Sequence, residues 1–294
     1  MTAKQKGILY VAIGAICFSA KAILIKLAYK NYDVDDLTLL CLRFSFSLPF
    51  FLGIAIFRAK KGNFKNIENR HWFQIAALAL LGYYIASWLD FKGLQYISAG
   101  VERIILFIYP TFVVLFSRIF LKKKISRTTL YAMLITYVGI ICIAVEPRIF
   151  QSENFFLGAS LIAVSAITYS LYLVFGGELI NTYGSANFNS IAMIFSSMYV
   201  IIHFSVFSNS SLLHLEPGVY FYGFTLAIVS TVFPTFIVME GIKLLGANTG
   251  AIVSSIGPVS TILLAYIILG ESLSIQELVG SALVLGGILM LSKK

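Results

Sequence analysis

Residues 93–110, GLQYISAGVERIILFIYP, run from the end of one apolar stretch into the next, and residues 241–258, GIKLLGANTGAIVSSIGP, repeat the same punctuation. Gly93, Ala99 and Pro110 fall on Gly241, Ala247 and Pro258 at one constant offset. The match continues through Leu121, Ser126 and Gly139 onto Leu269, Ser274 and Gly287. A weaker echo sets Gly7, Ala12 and Ser19 over Gly158, Ala163 and Ser170. The chain therefore reads as two copies of one unit, residues 1–148 and 149–294.

Outward from this pair of segments the composition is that of a bilayer protein. Hydrophobic residues make up 59% of the chain and charged residues 12%, against about 25% charged in soluble domains. In water this much apolar side chain has no core large enough to enter, whereas lipid solvates the outer faces of helices. A span needs about 20 mostly apolar residues. Runs of that kind occur at Gly7–Ala28, Leu37–Phe57, Trp72–Gln95, Ala99–Leu121 and Thr129–Val145 in the first unit. In the second they occur at Phe155–Leu179, Ala186–Phe207, Gly218–Leu244, Ala247–Leu269 and Ile275–Leu291. The expected fold is an all-α membrane protein of ten transmembrane helices. Five spans per unit is an odd number, so the two copies lie inverted across the membrane, an arrangement that recurs in transporters with a site at the repeat interface.

The charges fix an expected orientation. With the N-terminus inside, the inner connections collect Lys4, Lys6, Arg58, Lys60, Lys61, Lys65, Arg70, Lys122, Lys123, Lys124, Arg127, Lys243, Lys293 and Lys294. The outer ones hold Lys30 and Arg148 among Asp33, Asp35, Asp36, Glu146, Glu153 and Glu216. This is the positive-inside pattern with both termini cytoplasmic. It also accounts for the net charge of +9 without a nucleic-acid partner. The first apolar run is long for a signal peptide and contains Lys21 and Lys26, so it reads as a retained span. Cys17, Cys41 and Cys142 lie in apolar runs without metal-ligand spacing, and no metal or cofactor is expected.

The duplicated unit, Arg43-Phe44 in the second span, the segment Gly93 to Arg103 leading to Tyr109-Pro110, and Gly246-Ala-Asn-Thr-Gly250 leading to Pro258 before Gly270-Glu271 together carry a family likeness. On these residues the chain resembles the EamA-like ten-span members of the drug/metabolite transporter superfamily. The resemblance implies a basket of helices around a central cavity, with the fifth and tenth spans peripheral. It further implies residence in a bacterial inner membrane and movement of small organic solutes, with efflux or exchange favoured over uptake. One departure stands out: Lys122-Lys123-Lys124 occupies the place where the second half has Gly270-Glu271-Ser272.

Ionisable groups inside spans are costly and usually face a cavity or one another. Here they are Lys21, Arg43, Asp90, Lys92, Glu102, Arg103 and Glu240. A rise of ~1.5 Å per residue puts Lys21, Arg43, Asp90 and the Glu102/Arg103 pair about 5–10 Å below the outer ends of their helices, in one layer. Their counterparts in the other half include Tyr172 for Lys21, Val238 for Asp90, Gly250 for Glu102 and Ala251 for Arg103. A scaffold that tolerates the uncharged set at one copy points to a specific task for the charged set. The expected substrate contacts are cationic, from Lys21, Arg43 and Arg103 to a carboxylate, with Asp90 or Glu102 holding them apart and able to carry a proton. The competing reading is structural ion pairing, for instance Arg43 with Glu102. Lys26 and Lys92 are expected to snorkel outward, and Glu240 to reach Lys243.

Tyr84, Trp88, Tyr109, Tyr169 and Tyr172 are candidate walls of the cavity, apolar with a polar tip. Pro110 and Pro258 are expected to kink matching helices. No phosphate-binding glycine loop of an ATP-driven pump occurs, and His71, His203 and His214 are scattered. The functional expectation is thus a secondary transporter of amino-acid-like or other carboxylate-bearing metabolites, with proton coupling open, as a monomer or homodimer and not an enzyme. A membrane-embedded enzyme acting on lipid or isoprenoid and a passive facilitator are the alternatives.

Overall fold

The computed structural model describes residues 1–64, 67–144, 154–208, 210–269 and 275–292. Lys65, Glu146, Arg148, Glu153, Gly270, Glu271, Ser272, Ser274, Lys293 and Lys294, all used above, lie outside the described residues. Among those described, every regular element is helical. The helices are α1 (Ala3–Asn31), α2 (Asp36–Lys60), α3 (Asn69–Tyr96), α4 (Ala99–Leu121) and α5 (Arg127–Ala144) in the first half. The second half has α6 (Phe155–Tyr183), α7 (Ser185–Phe207), α8 (Pro217–Leu245), α9 (Ala247–Ile268) and α10 (Ile275–Ser292). Eight of them are long and apolar enough to cross a membrane, whereas α5 and α10 carry the shorter apolar stretches Arg127–Cys142 and Leu278–Gly287. Side chains such as Ile56, Phe57, Ile119, Val206 and Phe221 stand exposed on the outer faces, a surface that lipid stabilises and water does not.

Local chemistry sets the ends. Thr2 and Gln5 form a capping box on α1, which starts the helix four residues before the apolar run does. The Asp35 carboxylate accepts from the Thr38 N–H at 2.7 Å to open α2, and Ser98 accepts from Val101 N–H at 3.3 Å to open α4. Gly246, where two apolar runs nearly touch, separates α8 from α9 by adopting φ 78°, a backbone state that only glycine enters without cost.

The packing repeats between halves. α1 lies along the C-terminal part of α8 and on α9, while α6 lies along the C-terminal part of α3 and on α4. α2 packs on α7 and on the start of α8, α7 packs on the start of α3, and α5 pairs with α10. Exchanging each helix for its counterpart five places along leaves this pattern unchanged. The repeated glycines are its crossing points. A Cβ at Gly241 would lie 3.0 Å from the Gly7 carbonyl oxygen and 2.5 Å from a Val11 methyl. A Cβ at Gly93 would lie 3.2 Å from the Gly158 carbonyl oxygen and 2.6 Å from the end of Ile162.

Two irregularities also recur. α4 breaks at Phe107 and Ile108, and α9 at Ser254 and Ser255, each just ahead of its proline. The expected kinks are full interruptions, because Pro110 starts a new helical segment and cannot continue the old one. In α3 and α8 the backbone widens to π-helix over Leu80–Ile85 and Ile228–Val232, also matching positions. All four lie where the helices meet the interior.

Connections gather at two ends. Gly7 meets Leu244 and Leu245, Ser185 donates to Glu240, Arg58 donates to Asn187 at 2.7 Å, and His71 pairs with Tyr183 at 2.6 Å. Lys123 bonds Glu178. These contacts draw the basic clusters of the chain to one end. At the other, Gln95 donates to Asp36 at 3.1 Å, Ser210 to Asp35 at 3.1 Å and Asn31 to the Tyr222 hydroxyl at 3.3 Å.

Candidate functional site

Lys21, Arg43, Asp90 and Arg103, from four helices of the first half, converge on one cavity. Tyr109 and Tyr169 join its wall, with Phe18, Tyr83, Ser87, Phe107, Val238, Ser254 and Gly257. Both helix interruptions and the π-turn of α3 therefore open onto it, the kind of place where irregular backbone is tolerated at membrane depth.

The Lys21 ammonium donates to Asp90 Oδ2 at 2.5 Å and lies 3.6 Å from Glu102 Oε1. Glu102 is fully buried, and its Oε2 stands 3.3 Å from Arg103 Nε. The Arg103 guanidinium also donates to the Phe18 carbonyl, tying α4 to α1. Glu102 and Arg103, neighbours in sequence, thus turn to meet each other. Lys21 bridges both carboxyls, and the expected alternative of Arg43 with Glu102 does not form.

Arg43 stands apart. It is 2% exposed, donates from Nε to the Thr231 hydroxyl at 2.6 Å and reaches Ser87 at 3.5 Å. Its guanidinium carbon lies 5.3 Å and 5.5 Å from the ring centroids of Phe44 and Phe91. Among the described residues no carboxylate comes within 4.0 Å of it. Thr231 sits in the π-turn of α8, so a first-half cation is held by a second-half irregularity.

Tyr172 lies behind the wall. It is fully buried, with its ring 5.0 Å from Tyr83 and 6.0 Å from Tyr169. Tyr84 and Trp88 are placed elsewhere, facing α7. Their rings lie 5.6 Å and 4.9 Å from His203, and Lys92 sits over Trp88 at 5.4 Å. Neither lines this cavity. The polar residues of α3 that line it are Tyr83, Ser87 and Asp90, spaced by four and three along one helical face and joined there by Gly82 and Ala86. Helical spacing counted back from Asp90 is the signal that singles them out. Glu240 lies 3.4 Å from Lys243, as its i+3 spacing suggests. No cluster able to hold a metal occurs among the described residues.

A model of the EamA-like transporter family matches residues 5–145 and again 156–293. The chain belongs to that family. Its relatives include the uncharacterized transporter YcbK of Bacillus subtilis, 29% identical over 93% of this chain and 88% of the relative. An uncharacterized transporter of Archaeoglobus fulgidus is 27% identical over 90% of this chain and 92% of its own. The uncharacterized inner membrane transporter YicL of Salmonella typhimurium is 21% identical, with 99% and 97% covered. A solved crystal structure shares the fold with a TM-score of 0.75 at 16% identity, covering 97% of this chain and 96% of the other. A membrane transporter of the drug/metabolite superfamily is the class these findings establish.

Proposed function

We propose that the chain is a secondary carrier of small carboxylate-bearing metabolites that works by alternating access and exports or exchanges its solute. The observation that carries this reading is Arg43: a buried guanidinium on the cavity wall without a carboxylate partner among the described residues. A buried cation in this state is costly, and an incoming carboxylate relieves that cost with bidentate hydrogen bonds. Arg103 and Lys21 add positive potential from the same wall. Asp90 and Glu102 hold these cations and are the groups able to take up a proton during a cycle.

The proposed architecture is ten spans in two inverted halves, residues 1–148 and 149–294, with both termini cytoplasmic in a bacterial inner membrane. It is supported by the exchange symmetry of the packing and by the basic residues gathered at one end of the helices. Rocking one half on the other, with bending at the interruptions before Pro110 and Pro258, would expose the cavity alternately.

The test is a melting-temperature screen of metabolites on purified protein. Small carboxylates are expected to raise the melting temperature of the wild type and not that of Arg43→Gln. Stabilisation only by neutral or cationic compounds, or equal stabilisation of both proteins, would refute the reading.

A further inference from the structure

The charges of the cavity restrict the solute further. We infer that it is an aromatic or similarly apolar monoanion without an amino group, and that Lys21 fills the place an amino acid's ammonium would need. This rests on reading the cavity as the carrier's binding site. In their ordinary charge states the five side chains supply three cations, Lys21, Arg43 and Arg103, against two carboxylates, Asp90 and Glu102. Lys21 lies 2.5 Å from Asp90 and 3.6 Å from Glu102, and Arg103 lies 3.3 Å from Glu102. Both carboxylates therefore lie within ion-pair distance of cations of the chain itself, with Asp90 Oδ2 alone accepting a hydrogen bond from one of them. The excess is a single positive charge at Arg43, and protonating either carboxyl only enlarges it.

A monoanion complements that excess. A zwitterion does not, because it brings no net charge and its ammonium adds a fourth cation beside Lys21, Arg43 and Arg103. Arg43 has five N–H donors and spends two on Thr231 and Ser87, leaving enough for a bidentate carboxylate. Besides the charges the lining is ring-rich: Phe18, Tyr83, Phe107, Tyr109 and Tyr169. The Tyr109 hydroxyl is turned away to the Ala251 carbonyl at 3.2 Å, and the Tyr83 hydroxyl is buried without a hydrogen-bond partner. An aromatic body with one carboxylate matches both the single excess charge and the rings.

Four probes that differ in one group each decide this: 3-phenylpropanoate, phenylalanine, 2-phenylethylamine and propanoate, titrated against the melting temperature of the full chain. The expected order has 3-phenylpropanoate first, phenylalanine weaker on the order of tenfold or more, propanoate weak and the amine inactive. Lys21→Met vacates the ammonium place and should narrow or reverse the ratio of phenylalanine to 3-phenylpropanoate. Lys21→Arg should retain the wild-type ratio. Because each ratio is read within one protein, a general loss of stability does not move it. Equal or tighter binding of phenylalanine by the wild type, dependent on Arg43, would overturn the inference and leave the carboxylate carrier standing. A ratio unchanged in Lys21→Met would likewise overturn the role given to Lys21. Binding of no carboxylate at all would overturn both.

Discussion

Arg43 and Asp90 lie in the same wall and are expected to respond oppositely to neutralisation. Arg43→Gln removes a buried cation without a carboxylate partner among the described residues, so its melting temperature should match or exceed that of the wild type while carboxylate binding is lost. Asp90→Asn strips Lys21 of its nearest partner and should destabilise the protein by about 3 kcal/mol, the scale of a broken buried pair. Thermal unfolding followed by intrinsic fluorescence reads both. If Arg43→Gln melts well below the wild type, Arg43 is a structural residue. The intramembrane charges were legible in the sequence because so few interrupt the apolar runs. Their partners were less so. Lys21 chooses Asp90 and Glu102 through helix rotation, which composition does not record. Tyr84 and Trp88 stood out for their size and nearness to Asp90, yet the inward face of α3 belongs to Tyr83 and Ser87. The π-turn over Leu80–Ile85 shifts that face further, and no residue type marks it.

Among the elements, the helix crossings carry the repeat. Gly93→Val and Gly241→Val push a side chain into Ile162 or Val11 and toward the facing backbone, a cost of about 1–3 kcal/mol each. Gly286 has no neighbouring atom within 4 Å of an added Cβ. Gly286→Ala should therefore be neutral or gain up to about 1 kcal/mol from helix propensity. The three melting temperatures together check the crossing geometry, which would be contradicted if all three substitutions behaved alike. The helices themselves were readable from the apolar runs. Matching prolines gave a kink in α4 and α9; the complete interruptions depend on residues before them, where Phe107, Ile108, Ser254 and Ser255 give no local signal. α5 and α10 pack together and are the shortest apolar helices, which suits a peripheral pair.

At the scale of the molecule, the repeated unit was read from glycines and prolines that keep one offset. Lys21, Arg43, Asp90, Glu102 and Arg103 all belong to its first copy. Orientation is tested by single cysteines at Lys30 and Lys123 in a chain with Cys17, Cys41 and Cys142 replaced by alanine. A membrane-impermeant maleimide on intact cells should label Lys30→Cys and reach Lys123→Cys only after permeabilisation; the reverse pattern would invert the topology. A carrier whose site is the charged cavity is distinguished from a passive pore in proteoliposomes preloaded with unlabelled carboxylate. Saturable uptake of the labelled compound is expected, accelerated by the preloaded solute and abolished in a folded Arg43→Gln. Flux that rises linearly with concentration, ignores the preload and survives that substitution would contradict it.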